Sequence, residues 1–269
     1  MVEPYYDKDG ITIHCGDNCD VLGTFPRDCV DLVVTSPPYD DLRTYGGHEW
    51  DFYGVAWQLK RVLKPGGVIV WVVNDQTKNG SETGSSMMQA MHFQAVGLNL
   101  HDTMIYKKSA VGACGSNDAY WQEWEYVFVL SLGRPNAVNR IADRKNSTAG
   151  TKRTFNKKCD QVGTRQNRET VVSETGVRGN VWEYHTGMFN GGDKTNHPAM
   201  FPEKLARDHI TSWSNEGDTI LDPFNGSGTT TKMARKLGRK GIGIEINEEY
   251  CEIAVKRLEQ RLLNFQEGA

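Results

Sequence analysis

The chain has 269 residues, 38% hydrophobic and 24% charged, with a formal net charge of −3. That length can bury a core in one large domain, and the acidic balance excludes a protein that binds nucleic acid over its whole surface, so any such site must be local. No run of about eighteen apolar residues occurs and Met1 to Gly10 is acidic and polar, so neither a membrane span nor a secretory leader is predicted and a cytoplasmic protein is expected.

In chain order, Ile11 to Cys15 reads as a strand. Asp31 to Thr35 is a short β-branched run ending in Ser36-Pro37-Pro38-Tyr39. Prolines cannot continue a central strand, so a buried parallel strand running into a stiff loop is predicted. Apolar residues at helical spacing from Tyr53 to Leu63 stop at Lys64-Pro65-Gly66-Gly67, and the strand Val68 to Val73 follows. A helix is expected around Ser86 to Ala95, then strand-like runs at Leu100 to Lys107 and Trp124 to Ser131.

Between Gly133 and Asn196 long apolar runs give way to Asn, Thr, Gly and Arg, with twelve basic residues against six acidic ones. A loop-rich basic segment in an acidic chain is the footprint of a contact with a phosphate backbone; a merely solvated segment is the alternative. From Phe201 periodicity returns: a helix Pro202 to Ser214, a strand Thr219 to Leu221, a loop Asp222 to Gly228, a helix Thr229 to Leu237, a strand Gly241 to Ile246 and a closing helix Glu248 to Asn264. Strands alternating with helices predict an α/β fold, a doubly wound and mostly parallel sheet with a loop-rich insertion.

Two constellations carry chemistry. In Asp222-Pro223-Phe224-Asn225-Gly226-Ser227-Gly228-Thr229 a strand enters a glycine-rich turn that opens a helix, so backbone can approach a ligand closely. It lacks the Gly-Lys-Ser/Thr of a phosphate-binding loop and the G-x-G-x-x-G dinucleotide pattern, which argues against a nicotinamide or flavin enzyme. The next strand ends in Glu245-Ile246-Asn247, a carboxylate where ribose hydroxyls can be held. Alone, the turn is equally well strand-to-helix punctuation and Glu245 a surface acid; together they indicate a nucleoside cofactor.

The second constellation is Thr35 to Tyr39. The prolines stiffen a loop whose hydroxyl and carbonyl can accept hydrogen bonds from an amine, and Tyr39 supplies a face for an extruded base. Elsewhere such a tetrad is simply a turn; its position at a sheet edge sets it apart. Trp121 and Trp124 either line a base pocket or belong to the core. Asp40, Asp41 and Arg43 follow in a loop that touches DNA or is only solvated. The six cysteines form no Cys-x-x-Cys pair and the histidines have no ligand spacing, so reduced thiols and no metal are expected.

On these motifs the sequence resembles the amino-group DNA methyltransferases of bacteria, phages and restriction-modification systems. The resemblance implies an S-adenosylmethionine-dependent methyltransferase fold in its circularly permuted β-type order, with catalytic tetrad first, basic insertion next and cofactor loop last. It implies Ser36, Pro37, Pro38 and Tyr39 as catalytic residues, Asp222 and Phe224 to Thr229 as the cofactor loop, and Glu245 to Asn247 at the ribose. It further implies Asp17 at the cofactor adenine, with His197 and Phe201 against the methionine part. The expected organisation is residues 1–132 as catalytic half, 133–196 as target-recognition insertion and 197–269 as cofactor half.

Double-stranded DNA is the implied partner; a homodimer is compatible with the sequence, and a nuclease partner is not legible in one chain. No Pro-Cys pair is present to attack a cytosine ring, so an exocyclic amine is the expected acceptor. Ser at position 36, where adenine-specific members more often carry Asp or Asn, resembles the cytosine N4 subset, with adenine N6 as the alternative. The remaining alternatives are methylation of RNA or a protein amide, whose enzymes usually reverse the motif order, and a non-catalytic nucleic-acid-binding module, against which the intact motifs speak.

Overall fold

A computed structural model of the chain describes residues 3–38, 50–108, 120–158, 165–184 and 202–266. The elements are β1 (Tyr6–Lys8), β2 (Ile11–Cys15), α1 (Asn18–Gly23), β3 (Val30–Thr35), α2 (Phe52–Val62), β4 (Leu63–Val73), β5 (Thr77–Lys78), β6 (Ser81–Glu82), α3 (Ser85–Ala95), β7 (Asn99–Lys108) and β8 (Trp124–Ser131). There follow β9 (Arg144–Lys145), β10 (Lys152–Lys158), β11 (Arg165–Val171), β12 (Thr175–Gly176), β13 (Val181–Tyr184), α4 (Glu203–Trp213), β14 (Thr219–Asp222), α5 (Thr229–Lys236), β15 (Lys240–Glu245) and α6 (Glu248–Gln266).

Nine strands form one sheet in the order β1-β2-β15-β14-β3-β4-β8-β7-β13. From β2 to β4 every neighbour is parallel. Strand β8 runs antiparallel to both β4 and β7, and β13 returns parallel to β7. This is the mostly parallel, permuted α/β sheet expected from the sequence.

The strands read as apolar runs because both faces are covered. Val68 to Val73 are at most 1% exposed. On one face α2 lays Phe52, Val55, Ala56, Leu59 and Val62 against Val33, Trp71 and Leu221, the i, i+3, i+4, i+7 spacing of an amphipathic helix. On the other, α6 packs Cys251, Ala254 and Leu258 on Ile11 and Ile13. Neighbouring strand residues divide between the two, as Ile13 and Ile244 do, because strand side chains alternate.

Two strands of this sheet, β1 and β13, and the helix α1 were not expected. Strand β13 corrects the insertion's boundaries. Val181–Tyr184 pairs with Ile105–Lys108 of β7 and buries Trp182 and Tyr184, so the separate compact unit is Arg140–Gly179 rather than 133–196, and Asn180 onward belongs with the rest of the chain. Within that unit β10 pairs with β11 and β9 with β12, both antiparallel. Among the described residues no helix is long and apolar enough to cross a membrane.

Candidate active site

Chain direction in the sheet diverges between β3 and β14. After β3 the chain continues to β4 on one side, and after β14 to β15 on the other, which opens a crevice at their carboxyl ends. The last residues of the two strands meet there: Thr35 Oγ1 donates to Asp222 Oδ1 at 2.6 Å. Thr35 is 1% exposed and Asp222 5%. Burial pushes the Asp222 carboxyl up to about 6, against the opposing hydrogen bonds from Thr35, the Phe224 N–H and Thr230. Thr230 also donates to the Val34 carbonyl at 3.1 Å, pinning the first turn of α5 to β3.

The glycine loop turns its side chains inward. Asn225 accepts from Thr231 Oγ1 at 3.1 Å while its N–H reaches the Ile244 carbonyl at 2.9 Å. Room for it exists because position 243 is glycine, where a Cβ would stand 2.5 Å from Asn225 Cγ. Arg257 Nη1 donates to the Ser227 carbonyl at 2.5 Å, to Ser227 Oγ at 3.0 Å and to Thr229 Oγ1 at 3.2 Å. The Phe224 ring packs edge-on against Trp50, 5.0 Å between centroids. Gly228, at φ 76°, starts α5 so close to α6 that a Cβ would fall 2.8 Å from that of Ala254. What the loop offers a ligand is therefore mainly backbone.

Arg257 is 4% exposed, and Glu203 of α4 balances its charge at 3.3 Å. Lys232 and Lys236 reach the same carboxylate at 2.8 and 3.0 Å. Desolvation raises the Glu203 carboxyl, but hydrogen bonds and charge from the two lysines outweigh it and hold it at about 2.

Glu245 closes the crevice from β15. Its Oε2 accepts from the Gly226 N–H at 2.7 Å and its Oε1 from the Asn247 N–H at 3.0 Å. Desolvation raises this carboxyl, and those backbone donors oppose the shift. A carboxylate has about four acceptor positions, more than its backbone donors Gly226, Ile246 and Asn247 occupy, so it keeps acceptor capacity for an incoming hydroxyl. Beside it Ile246 is 37% exposed and Asn247 turns its side chain to the Glu249 N–H at 2.8 Å, at the start of α6. On β2's side Asp17 caps α1, its Oδ1 accepting from Cys19 and Asp20 N–H at 2.8 and 3.1 Å, and Asn18 donates to the Pro223 carbonyl at 3.3 Å. A half-buried carboxylate with acceptor capacity to spare, an exposed aliphatic face and a second carboxylate along one sheet edge fit an adenosine.

Ser36 to Pro38 continue directly from Thr35, with Pro37 buried and its neighbours half-buried. Tyr39, His197 and Phe201 lie outside the described residues, as do Asp40, Asp41 and Arg43. Next to this loop, at the end of β4, Asn74 accepts from Gln122 Nε2 at 3.1 Å and donates to the Trp124 carbonyl at 3.4 Å. Trp124 stands edge-on to Tyr126, 4.7 Å between centroids, while Trp121 is 60% exposed.

Sequence reasoning missed the Asn74–Gln122 pair, the Thr35–Asp222 bond and the Arg257–Glu203 support. Only Arg257 left a sign, as a charged residue beside the inward-facing Cys251, Ala254 and Leu258. The histidines make ring contacts: His92 with Phe52 and Tyr53, His101 with Trp213, and His209 stacked on Trp182.

A family model described as DNA methylase matches residues 30–256. The orphan methyltransferase M.BamHII of Bacillus amyloliquefaciens is 50% identical over 243 residues, covering 88% of this chain and 91% of its own. The DNA adenine methyltransferase YhdJ of Escherichia coli K12 is 28% identical over 270 residues, covering 94% and 84%. Among solved structures, the cytosine-N4-specific PvuII DNA methyltransferase aligns with a TM-score of 0.67 at 20% identity, over 95% of this chain and 88% of its own. The M1.HpyAVI–SAM complex aligns at 0.62 and 21% identity, over 92% and 100%. At those identities the structural likeness speaks to the fold.

Proposed function

Because the chain belongs to the DNA methylase family of amino-group methyltransferases, we propose that it transfers a methyl group from S-adenosylmethionine to the exocyclic N4 of a cytosine flipped out of double-stranded DNA. The observation that carries this reading is the Thr35–Asp222 bond. It ties the acceptor-bearing Ser36-Pro37-Pro38 loop to the edge that suits a nucleoside, so amine and methyl donor meet in one crevice.

Glu245 holds the ribose hydroxyls with the acceptor capacity that its backbone donors leave, and Asp17 and Ile246 receive the adenine. His197 and Phe201 complete the methionine side. The backbone of Phe224 to Thr229 lies close by because its side chains are turned away, and Asp222, buried and bonded to Thr35, positions this loop. The bound cofactor supplies an electrophilic sulfonium methyl whose positive charge is lost on transfer.

Ser36 Oγ and the Pro37 carbonyl accept hydrogen bonds from the target amine. They pull its lone pair out of conjugation with the ring and toward the methyl, and they stabilise the ammonium character that develops. Extruding the base costs a few kcal/mol. Stacking on Tyr39, worth roughly 1–3 kcal/mol, and phosphate contacts from the basic unit offset this.

Ser36, a neutral hydroxyl that can accept from the amine and donate toward the neighbouring ring nitrogen, favours cytosine. The 28% identity to the E. coli enzyme named for adenine favours the second reading, adenine N6. Incubation with unmethylated plasmid DNA and S-adenosylmethionine, followed by nucleoside mass spectrometry, tests both. N4-methylcytosine, absent with Ser36→Ala, is expected; N6-methyladenine overturns the base assignment, and no methylated nucleoside on several DNAs overturns the DNA reading.

A further inference from the structure

The compact unit Arg140–Gly179 carries ten basic residues against four acidic ones, a net +6 in a chain of net −3, which leaves −9 to everything else. The ribbon β10–β11 runs in register from Lys152↔Val171 to Lys158↔Arg165. Neither it nor β9–β12 joins a third strand among the described residues. Two-stranded ribbons are marginal on their own, and Lys152, Arg153, Thr154, Glu169, Thr170 and Val171 are all exposed. This unit is built as a surface rather than around a core.

Where the two ribbons meet lies a cavity of about 490 Å³, lined by Arg144, Lys145, Arg153, Thr148, Thr170 and Ser173 together with their neighbours, and no carboxylate is among its walls. Arg178 of the same unit is paired with Asp143 at 2.6 Å. No ion pair engages Arg144, Lys145 or Arg153 among the described residues. The two guanidinium groups are nonetheless held in place: Arg144 Nε donates to the Val177 carbonyl at 3.1 Å and Nη2 to Asn146 Oδ1 at 3.4 Å, and Arg153 Nη2 donates to Thr148 Oγ1 at 2.9 Å. Arg144 Nη1, Arg153 Nε and Nη1 and the Lys145 ammonium keep donors to give. Three like charges around one cup, flanked by hydroxyl donors, are complementary to a tetrahedral anion.

We propose that this cup seats one phosphodiester of the DNA backbone and thereby fixes how the basic ribbon β10–β11 lies on the duplex. The inference rests on the DNA reading above. Free phosphate shares the chemistry, so the test must separate the two.

Binding of the full chain to a fluorescein-labelled duplex is titrated across salt concentrations. Arg144→Gln, Lys145→Gln and Arg153→Gln are each expected to weaken binding on every duplex sequence and to lower the slope of log K against log salt by about 1. Melting temperature and S-adenosylmethionine affinity stay unchanged, and Lys256→Gln, whose lysine is paired with Glu252, keeps the wild-type slope. A neutral methylphosphonate walked along the duplex should weaken the wild type at one phosphate and leave Arg153→Gln indifferent there. Wild-type slope in all three cup variants overturns the cup while leaving the DNA reading intact. Absence of salt-dependent DNA binding by the wild type overturns that reading first. Saturation by millimolar inorganic phosphate, lost in the variants while duplex affinity is unmoved, assigns the cup to free phosphate and overturns the phosphodiester.

Discussion

Thr35 and Asp222, 187 positions apart in the chain, are joined by a buried 2.6 Å hydrogen bond at the carboxyl ends of two neighbouring central strands. A buried carboxylate deprived of such a donor loses about 1–3 kcal/mol. Thr35→Val keeps the shape and removes the donor, so it should lower unfolding free energy by that amount and raise KM for S-adenosylmethionine several-fold, while Thr35→Ser restores both. Denaturant unfolding and initial rates measure the pair; a Val variant that loses stability with KM unmoved would show the bond to be structural alone.

Asp222 also gives the protein a pH signature. Its folded carboxyl sits at about 6 against an ordinary 3.8, so between those values the folded state holds a proton that the unfolded state releases. Stability contributed by this group therefore rises as pH falls from about 6 toward 4, and ionisation above pH 6 opposes folding. Asp222→Asn, which can still accept from Thr35 and the Phe224 N–H, should melt above wild type at pH 8 by about 2–4 °C per kcal/mol gained. That margin should vanish near pH 4. Equal margins at both pH values would assign the effect to something other than ionisation.

Glu245→Gln leaves acceptor and donor where two acceptors stood. Hydrogen bonds to a charged group are worth roughly 1.5–3 kcal/mol, so affinity for S-adenosylmethionine by calorimetry should fall about 10- to 100-fold while duplex affinity holds. Unchanged cofactor affinity would move the ribose elsewhere.

Arg257→Met removes a charge that touches no ligand. It leaves the Ser227 carbonyl and hydroxyl and the Thr229 hydroxyl without their shared donor, while Glu203 keeps Lys232 and Lys236; a buried polar group left unsatisfied typically costs about 1–3 kcal/mol. The variant should unfold at lower denaturant and bind cofactor more weakly, with the methylated base unchanged. Full cofactor affinity in the folded variant would mean that the loop holds its shape without this support.

The strands Asp31 to Thr35 and Trp124 to Ser131 were legible because strands buried on both faces leave unbroken apolar runs. Trp182 and Tyr184 were not: a four-residue strand in a polar, basic stretch gives only two alternations, and its partner β7 lies far back in the chain. The glycine loop was readable from local punctuation, but the inward turn of Asn225, Ser227 and Thr229 depends on Arg257 and Thr231, which no spacing rule links to them. The meeting of Thr35 with Asp222 requires knowing that β3 and β14 are neighbours, and parallel adjacency is written in no local pattern. Gln122 and Asn74 stay silent for the same reason.

The strand order bears on how the protein comes off the ribosome. β2 and β3 are made early, yet in the finished sheet they are held apart by β14 and β15, which are made last. Until those emerge, two unfilled edges, each a row of unpaired N–H and C=O groups, wait for strands that do not yet exist. Fragments stopping before Thr219 should accordingly be recovered as aggregates or chaperone-bound chains, and translation rather than chemistry sets the earliest moment at which the crevice can close.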